Sequence, residues 1–288
     1  MRLSCLPVSL YPDLAAGRRT LGDWFRMAAR LGLDGADLSV VHLPHGAPAA
    51  LHALRREAED AGVKIVMLAT YSDFTHPNPA MRAREVDGVR ASIAAGAELG
   101  VRFLRLTAGQ DHPGIPQDAG LDWATEGLTA CIPEAAAAGL CLLYENHVRG
   151  AIWTYNDWTQ PAERFLEVVR RTAGTRLGIL FDTANCLVLH DDPLDVLRQV
   201  KDRVEAIHLS DIYRAGAFQP TVVGTGAAPI EPLLRIMVEH GFDGWMSIEE
   251  ASRTGDDGFR KAVTFAEGAW LAAGGAPRPR QQASPRTT

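Results

Sequence analysis

The chain has 288 residues, of which 47% are hydrophobic and 22% are charged, a composition typical of a globular protein with a large core. Its 29 Lys and Arg residues against 35 Asp and Glu residues give a net charge of −6 at pH 7. A protein that follows the phosphates of a duplex needs a basic face, so this charge argues against a nucleic-acid partner. The length suits either two domains of about 150 residues or one α/β barrel.

The four cysteines lie far apart and form no CxxC motif, which favours free thiols in a reducing compartment. No apolar run approaches the ~20 residues that a membrane helix needs. The N-terminus lacks the basic segment, apolar stretch and small-residue cleavage site of a secretory signal peptide. We therefore expect a cytoplasmic protein without a membrane partner.

Short runs rich in Val, Ile and Leu alternate along the chain with longer amphipathic stretches. The first of these stretches has apolar residues at positions 21, 24, 25, 28 and 31, the spacing of a helix with one buried face. The apolar runs predict eight strands, at residues 2–8, 35–40, 63–69, 101–107, 140–145, 176–182, 203–209 and 244–249.

Helix boundaries follow from glycines and capping residues. Thr20, Asp118 and the pair Asp192-Pro193 are predicted to begin helices, since their side chains can accept from free backbone N–H groups or start the first turn. Five glycines stand where a helix is expected to end in a left-handed residue: Gly32, Gly62, Gly100, Gly139 and Gly241.

Eight strands that are each followed by a helix predict a parallel sheet buried on both faces. Eight such units in about 270 residues match a closed barrel. An open doubly wound sheet would usually carry a Gly-rich phosphate turn after the first strand, and Pro7-Val8-Ser9 is not one. We therefore predict an α/β fold, a single (β/α)8 TIM barrel over residues 1–273. Residues 274–288, rich in Gly, Pro, Ser and Arg, are predicted to form a disordered tail.

Ligand-type side chains lie at or near the ends of the last four predicted strands: Glu145, Asp182, His208 and Glu249. Their separations of 37, 26 and 41 residues are each about one βα unit, so adjacent strands would bring them to one mouth of the barrel. Three carboxylates and one imidazole can hold a divalent cation and leave positions open for substrate oxygens. Each residue alone is as readily a helix cap or a hydrogen-bonded strand residue, so the prediction depends on the ordered set.

Several short motifs surround these residues. They are Gly32-Leu33-Asp34-Gly35-Ala36-Asp37, Glu145-Asn146-His147, Asp182-Thr183-Ala184-Asn185, His208-Leu209-Ser210-Asp211, Gly224-Thr225-Gly226 and Gly241-Phe242-Asp243-Gly244. With them, about residues 1–272 resemble the sugar phosphate isomerases/epimerases. That family of xylose-isomerase-like TIM barrels includes ketose 3-epimerases, hydroxypyruvate isomerase and inosose dehydratase.

The resemblance implies that Glu145, Asp182, His208 and Glu249 are metal ligands and that Glu145 and Glu249 also act as acid and base on opposite faces of the substrate. The set of three carboxylates and one imidazole suits Mn2+, with Mg2+, Co2+ and Zn2+ as alternatives. Two positions depart from the family. At the exit of the second strand, Asp37 stands where many members carry Glu, and Asn185 stands where the epimerases carry a substrate-contacting His. These departures concern the substrate and weaken a specific prediction of ketose 3-epimerisation.

A cation that chelates a carbonyl and the adjacent hydroxyl stabilises an enediolate. We therefore expect an isomerase or epimerase of a sugar, keto-sugar or small polyhydroxy carbonyl compound. The same intermediate can expel a group at the β-carbon, so a lyase or dehydratase acting on a keto-sugar or inosose is the alternative. The barrel also resembles an abasic-site endonuclease, against which the net charge argues, and a barrel that only binds a ligand is the non-enzymatic alternative.

Five further residues are candidates for substrate contact: His147, Asn185, Arg214, His112 and Trp153. His147 is either an acid, a contact to a substrate hydroxyl or a residue that orients a metal ligand. For Arg214, His112 and Trp153 the alternatives are a solvated arginine, an exposed loop histidine and packing over helix ends. The expected partner is a small carbohydrate-like molecule, and related barrels commonly form homodimers.

Overall fold

Eight parallel strands surround a common interior in the computed structural model, which describes residues 1–44, 48–150 and 152–278. All eight predicted strands are present, with ends within two residues of the prediction, so the predicted (β/α)8 barrel is confirmed. The strands are β1 Arg2–Leu6, β2 Gly35–Ser39, β3 Lys64–Ala69, β4 Phe103–Leu106, β5 Cys141–Glu145, β6 Gly178–Asp182, β7 Val204–Leu209 and β8 Trp245–Glu249.

Helices follow the strands and cover the outside of the sheet. They are α1 Tyr11–Ala15, α2 Leu21–Arg30, α3 Pro48–Ala61, α4 Pro79–Leu99, α5 Gln117–Thr129, α6 Ile132–Ala137, α7 Ala162–Arg171, α8 Pro193–Val200, α9 Ile230–Glu239 and α10 Asp256–Ala272. None of these helices is both long and apolar enough to cross a membrane.

The predicted helix boundaries are confirmed with one exception. Thr20 and Asp23 form a capping box at the start of α2, and Asp192 caps α8 ahead of Pro193. All five glycines predicted at helix ends have φ between 70° and 82°. Asp118 was the wrong residue, because α5 begins one residue earlier, after Pro116, and no side chain caps it. Asp118 instead places its carboxylate in the first turn, where the helix dipole favours a negative charge.

The strands pair in the order β1-β8-β7-β6-β5-β4-β3-β2. At the remaining seam, between β1 and β2, the N–H of Asp34 donates to the carbonyl of Leu3 over 2.8 Å, and the N–H of Leu3 donates to the Asp34 carboxylate over 2.9 Å. The barrel is therefore nearly closed. Buried apolar side chains from six strands form a cluster in its interior: Val66, Met67, Phe103, Leu143, Leu180, Ala206 and Trp245.

The C-terminal end of the described chain contacts this same seam. Arg278 pairs with Asp34 over 3.0 Å and also with Glu267, and the indole of Trp270 donates to the carbonyl of Ala276 over 2.9 Å. Residues 279–288 lie outside the described residues. The division into a barrel of residues 1–273 and a disordered tail stays a prediction, as do the cytoplasmic location and the homodimer.

Candidate metal centre

The strand pleat explains why four ligand-type side chains meet. Side chains alternate across a strand, so a residue two positions beyond an inward-facing one also faces inward. Leu143, Leu180 and Ala206 belong to the interior cluster, and Glu145, Asp182 and His208 follow them by two residues. Glu249 follows Trp245 by four residues. One ligand-type atom from each of the four residues lies within 4.8 Å of the others.

The imidazole of His208 lies between the two glutamates. Its Nδ1 is 2.6 Å from Glu145 Oε1 and 3.1 Å from Glu249 Oε2. Glu145, Asp182 and His208 are buried, whereas the Glu249 side chain is 25% exposed and borders the open mouth of the barrel. A substrate that enters through the mouth therefore meets Glu249 first.

Two carboxylate oxygens in the cluster have no donor. Asp182 Oδ2 and Glu145 Oε2 are buried and accept no hydrogen bond from the described part of the chain. A buried carboxylate oxygen without a donor is costly unless a cation compensates it. Three carboxylates and one imidazole are a ligand set that Mn2+ and similar divalent ions accept. The residues therefore fit a divalent metal ion.

Burial and the neighbouring charges also shift the pKa values of the cluster. Burial, followed by the charges of Glu249 and Glu145, raises the pKa of Asp182 to about 8. Burial opposes the charged form of His208, but Glu145 and Glu249 outweigh it and raise the pKa of that imidazole. A bound cation would displace protons from Asp182 and His208, so metal binding is coupled to proton release.

The other oxygen of Asp182 is firmly held. Asp182 Oδ1 accepts from the backbone N–H groups of Ala184 and Asn185 at 2.9 and 2.8 Å and from the Ser210 hydroxyl at 2.7 Å. Asn185 also donates its side-chain amide to the carbonyl of Asn146 over 2.9 Å. Asn185, a candidate for substrate contact, therefore helps to position Asp182. These contacts leave Oδ2 as the oxygen that faces the cluster.

Arg105 on β4 belongs to the same site, although the sequence analysis did not identify it. It follows the inward-facing Phe103 by two residues and is buried. Its Nη1 lies 3.4 Å from Glu145 Oε2, and its guanidinium lies 5.1 Å from the centre of the Tyr71 ring. Burial favours protonation of Glu145, but the charges of Arg105 and His208 outweigh it and lower the pKa of that carboxyl. Arg105 therefore keeps Glu145 ionised.

Sequence similarity agrees with this geometry. The xylose isomerase-like TIM barrel model matches residues 25–272, most of the chain. The chain belongs to this family.

Among curated proteins, this xylose isomerase-like barrel is similar to inosose dehydratases. It is 28% identical to that of Clostridium botulinum (strain Alaska E43 / Type E3) over 133 residues, which are 40% of this chain and 42% of the relative. It is 25% identical to that of Lacticaseibacillus casei over 155 residues, which are 48% of this chain and 49% of the relative. The chain thus spans less than half the length of these curated relatives.

Solved structures show the same fold over nearly the whole chain. D-psicose 3-epimerase from Clostridium cellulolyticum H10 superimposes with a TM-score of 0.77 at 14% identity, covering 94% of this chain and 99% of that one. The probable 3-DHS dehydratase of petrobactin synthesis from Bacillus anthracis has a TM-score of 0.72 at 16% identity, covering 92% and 98%. At these identities the likeness establishes the fold alone.

In this xylose isomerase-like barrel, Asp37 lies within β2 rather than at the mouth. It is buried, and its Oδ2 accepts from the hydroxyls of Ser4, at 2.9 Å, and Ser247. Burial raises the pKa of Asp37, although the hydrogen bond from Ser247 and the charge of His208 oppose that rise. Ser247 is the ladder partner of His208, so this polar layer lies directly beneath the candidate metal centre.

His147 lies two residues beyond Glu145 and faces a buried carboxylate. Its Nδ1 is 3.4 Å from Asp157 Oδ2, and its ring meets the edge of Trp153 at 5.3 Å between ring centres. Trp153 is also buried and donates its indole N–H to the carbonyl of Tyr71 over 3.2 Å. The loop after β5 therefore returns to the mouth of the barrel and places Trp153 between His147 and Tyr71, the neighbour of Arg105.

His112 and Arg214 lie in other loops at the mouth. His112 Nε2 is 2.8 Å from Asp73 Oδ2, and its ring packs against His76 and Tyr155. Arg214 is exposed on the loop after β7. Asn185 contacts Asp182, and His147 lies two residues beyond Glu145, whereas Arg214 has no contact with the four candidate metal ligands among the described residues. Substrate contact by His112, Trp153 and Arg214 stays a prediction.

The Gly224-Thr225-Gly226 motif donates backbone hydrogen bonds to the Asp211 carboxylate. Both carboxylate oxygens of this buried residue accept backbone N–H groups at 2.7 to 3.0 Å, and the donors are Ile212, Gly224, Gly226 and Ala228. A Cβ at position 226 would lie 2.2 Å from the carbonyl of Ile212 and 2.4 Å from Asp211 Oδ1. Glycine is therefore required there by the close approach of the loop to Asp211.

Proposed function

We propose that this protein is a divalent-metal-dependent enzyme that removes a proton beside the carbonyl of a sugar, keto-sugar, inosose or similar polyhydroxy compound. The observation that carries this proposal is the convergence of four ligand-type atoms within 4.8 Å of one another. A bound divalent cation would polarise the carbonyl and an adjacent hydroxyl and so acidify the neighbouring C–H bond. Mn2+ is the proposed ion, with Mg2+, Co2+ and Zn2+ as alternatives to be tested.

Glu249 is the proposed base. Its carboxylate borders the open mouth, and its partner in the described residues is His208. Glu145 is fully enclosed and lies beside the positive charge of Arg105, which lowers its pKa. A carboxylate held in this way keeps its negative charge and is a poor proton donor. Glu249 and Glu145 therefore differ in their ability to exchange a proton, although both belong to the same cluster.

This inequality supports elimination better than epimerisation. An epimerase must return a proton to the opposite face of the substrate, and Glu145 would have to carry it. In a dehydratase, Glu249 takes the proton beside the carbonyl, and a separate acid gives a proton to the β-hydroxyl, which leaves as water. His147 is the proposed acid, since its ring lies beside the mouth against Asp157 and Trp153. The similarity to inosose dehydratases supports the same outcome.

An isomerase or epimerase is the second candidate, and one observation favours it. Glu145 and Glu249 both contact His208 Nδ1, so two carboxylates flank the centre, as a two-base exchange of a proton requires. The fold shared with D-psicose 3-epimerase is compatible with this chemistry.

Elemental analysis followed by incubation in D2O tests the proposal. Protein stripped with a chelator and reloaded with Mn2+ is offered a panel of ketoses and inososes, and proton NMR follows the product. Deuterium at the carbon beside the carbonyl is the expected result. Loss of water identifies a dehydratase, and a deuterated epimer or aldose identifies the second candidate. Protein that binds no Mn2+, or that loads it and exchanges no proton in any of these compounds, would contradict the proposal.

A further inference from the structure

Two histidines at the mouth of the barrel each face an aspartate, and they do so through different ring nitrogens. His112 presents Nε2 to Asp73 at 2.8 Å, whereas His147 presents Nδ1 to Asp157 at 3.4 Å. Of the two, His147 lies two residues from Glu145 and is the proposed acid. The ring nitrogen that does not face the aspartate is therefore Nε2 in His147 and Nδ1 in His112.

Contacts with groups other than His147 hold the Asp157 side chain in place. Its side chain is fully buried, and its Oδ1 accepts from both the backbone N–H and the hydroxyl of Thr159, at 2.8 and 2.7 Å. The hydroxyl of Tyr144 donates in turn to Thr159 over 2.7 Å. The backbone N–H of Asp157 donates to the carbonyl of Val148 over 2.7 Å, so the carboxylate and the segment beside His147 are held together.

The second oxygen of Asp157 faces His147. Asp157 Oδ2 and His147 Nδ1 are both buried and lie 3.4 Å apart, and neither atom has a hydrogen-bond partner in the described chain. An ionised carboxylate only accepts hydrogen bonds, so the nitrogen that faces it is stable only when that nitrogen carries the proton.

We propose that Asp157 is a positioning residue that holds one proton of His147 on Nδ1, so that Nε2 is the nitrogen that takes up a second proton and gives it to the substrate. Trp153, whose ring stands at 87° to the imidazole, restricts rotation of His147 about its side chain. The role of His147 toward a substrate rests on the proposed function, whereas the position of its proton does not.

Nitrogen NMR of the metal-loaded protein tests the position of the proton without any substrate. Protein labelled with 15N-histidine is loaded with Mg2+, which is diamagnetic, and long-range 1H–15N correlations distinguish protonated from lone-pair nitrogens. Variants His147→Gln and His112→Gln assign the two rings by the loss of their cross-peaks. We expect Nδ1 of His147 and Nε2 of His112 to carry protons. A lone-pair Nδ1 in His147 of the wild-type protein overturns the proposal, and this spectrum requires no Asp157 variant to fold.

Asp157→Asn is the informative variant, because asparagine keeps an oxygen for Thr159 and turns an amide donor toward His147. We expect the proton of His147 to move to Nε2. Asp73→Asn is the matched control and should alter His112 while leaving His147 unchanged. An unaltered His147 in the folded Asp157→Asn protein would refute the role of Asp157.

The D2O assay separates this inference from the proposed function. If a substrate is found, Asp157→Asn should lower its turnover about 10-fold to 100-fold, at or below the lower end of the ~10²–10⁴-fold typical of one acid or base. Thr20→Ala, which changes only the cap of α2, should not change turnover. If no compound exchanges a proton, the proposed function fails while the NMR result on Asp157 still stands.

Discussion

Asp182 and Asp211 are buried aspartates at the same mouth of the barrel, and their surroundings are opposite. Both oxygens of Asp211 are satisfied by four backbone N–H groups of its own loop. Asp182 has three donors on Oδ1 and none on Oδ2, which faces Glu145, His208 and Glu249. Both oxygens of Asp211 are satisfied within the fold, whereas Asp182 keeps one oxygen that no described group satisfies.

The contrast separates structural from functional polar groups. A satisfied buried carboxylate stabilises the loop that surrounds it, so removing it should reduce stability. A cluster of acids with an unsatisfied oxygen destabilises the protein without its metal, so removing one acid should increase the stability of the metal-free protein while abolishing function. Four substitutions test this difference.

Glu249→Gln should have the largest effect. The amide cannot take a proton, so proton abstraction should fall by about 10²–10⁴-fold, which corresponds to about 3–5 kcal/mol of activation free energy. Deuterium incorporation measures the rate, and elemental analysis of the same sample measures the bound metal. Substantial remaining exchange with full metal occupancy would remove Glu249 from the role of base.

Asp211→Ala should lower the free energy of unfolding by about 3 kcal/mol, because it leaves four backbone N–H groups of the loop without an acceptor. Urea denaturation of the metal-free protein measures this loss. The folded variant should keep its affinity for Mn2+, since Asp211 has no contact with the four metal-type residues in the described structure. A variant as stable as the wild-type protein would contradict the structural role of Asp211.

Asp182→Asn should raise the free energy of unfolding of the metal-free protein by a few kcal/mol near pH 8, since a tenfold change in acidity corresponds to about 1.4 kcal/mol. Burial raises the pKa of Asp182 from 3.8 to about 8, so the unfolded chain ionises at lower pH than the folded chain. This difference makes the folded protein lose stability as the pH rises from about 4 to about 8. Asparagine removes the loss, and the gain should vanish near pH 4.

Addition of Mn2+ should reverse the order of stability of the wild-type protein and Asp182→Asn. Mn2+ should stabilise the wild-type protein more than Asp182→Asn, because the neutral amide is a weaker ligand than the carboxylate. Equal stabilisation of both by Mn2+ would show that Asp182 does not bind the ion.

Thr20→Ala should have the smallest effect and provides a reference outside both clusters. Thr20 and Asp23 form the capping box of α2, and removal of such a cap costs about 1 kcal/mol. Thermal unfolding should show this decrease, with metal affinity and proton exchange unchanged. A change in metal affinity would show that the two clusters respond to general loss of stability, which would weaken the contrast between them.

The regular part of the molecule was readily predicted. Apolar runs, helix-ending glycines and strand-end acids depend on local spacing, and all eight strands and the four clustered residues agree with the prediction. Arg105 could have been found, since a charged residue in the apolar strand Phe103–Leu106 must be buried and requires a partner.

The sequence around Asp157 contains no comparable signal that predicts its role. It lies in a long loop without periodicity, and its distance to His147 depends on how that loop returns to the barrel. The residue pairs with Gln110 in an isolated antiparallel bridge, and the Gln110 side chain accepts the N–H groups of Thr154 and Tyr155. Contacts of this kind join segments more than 40 residues apart.

The amino-acid sequence by itself determined the barrel and the identity of the four metal-type residues, because strand period and βα spacing are local properties of the chain. Only the tertiary structure decided which polar groups are satisfied and which are not. It showed that Asp211 is complete, that Arg105 keeps Glu145 charged and that Asp157 faces His147. These properties depend on distances between side chains from different strands and loops, which the sequence does not contain.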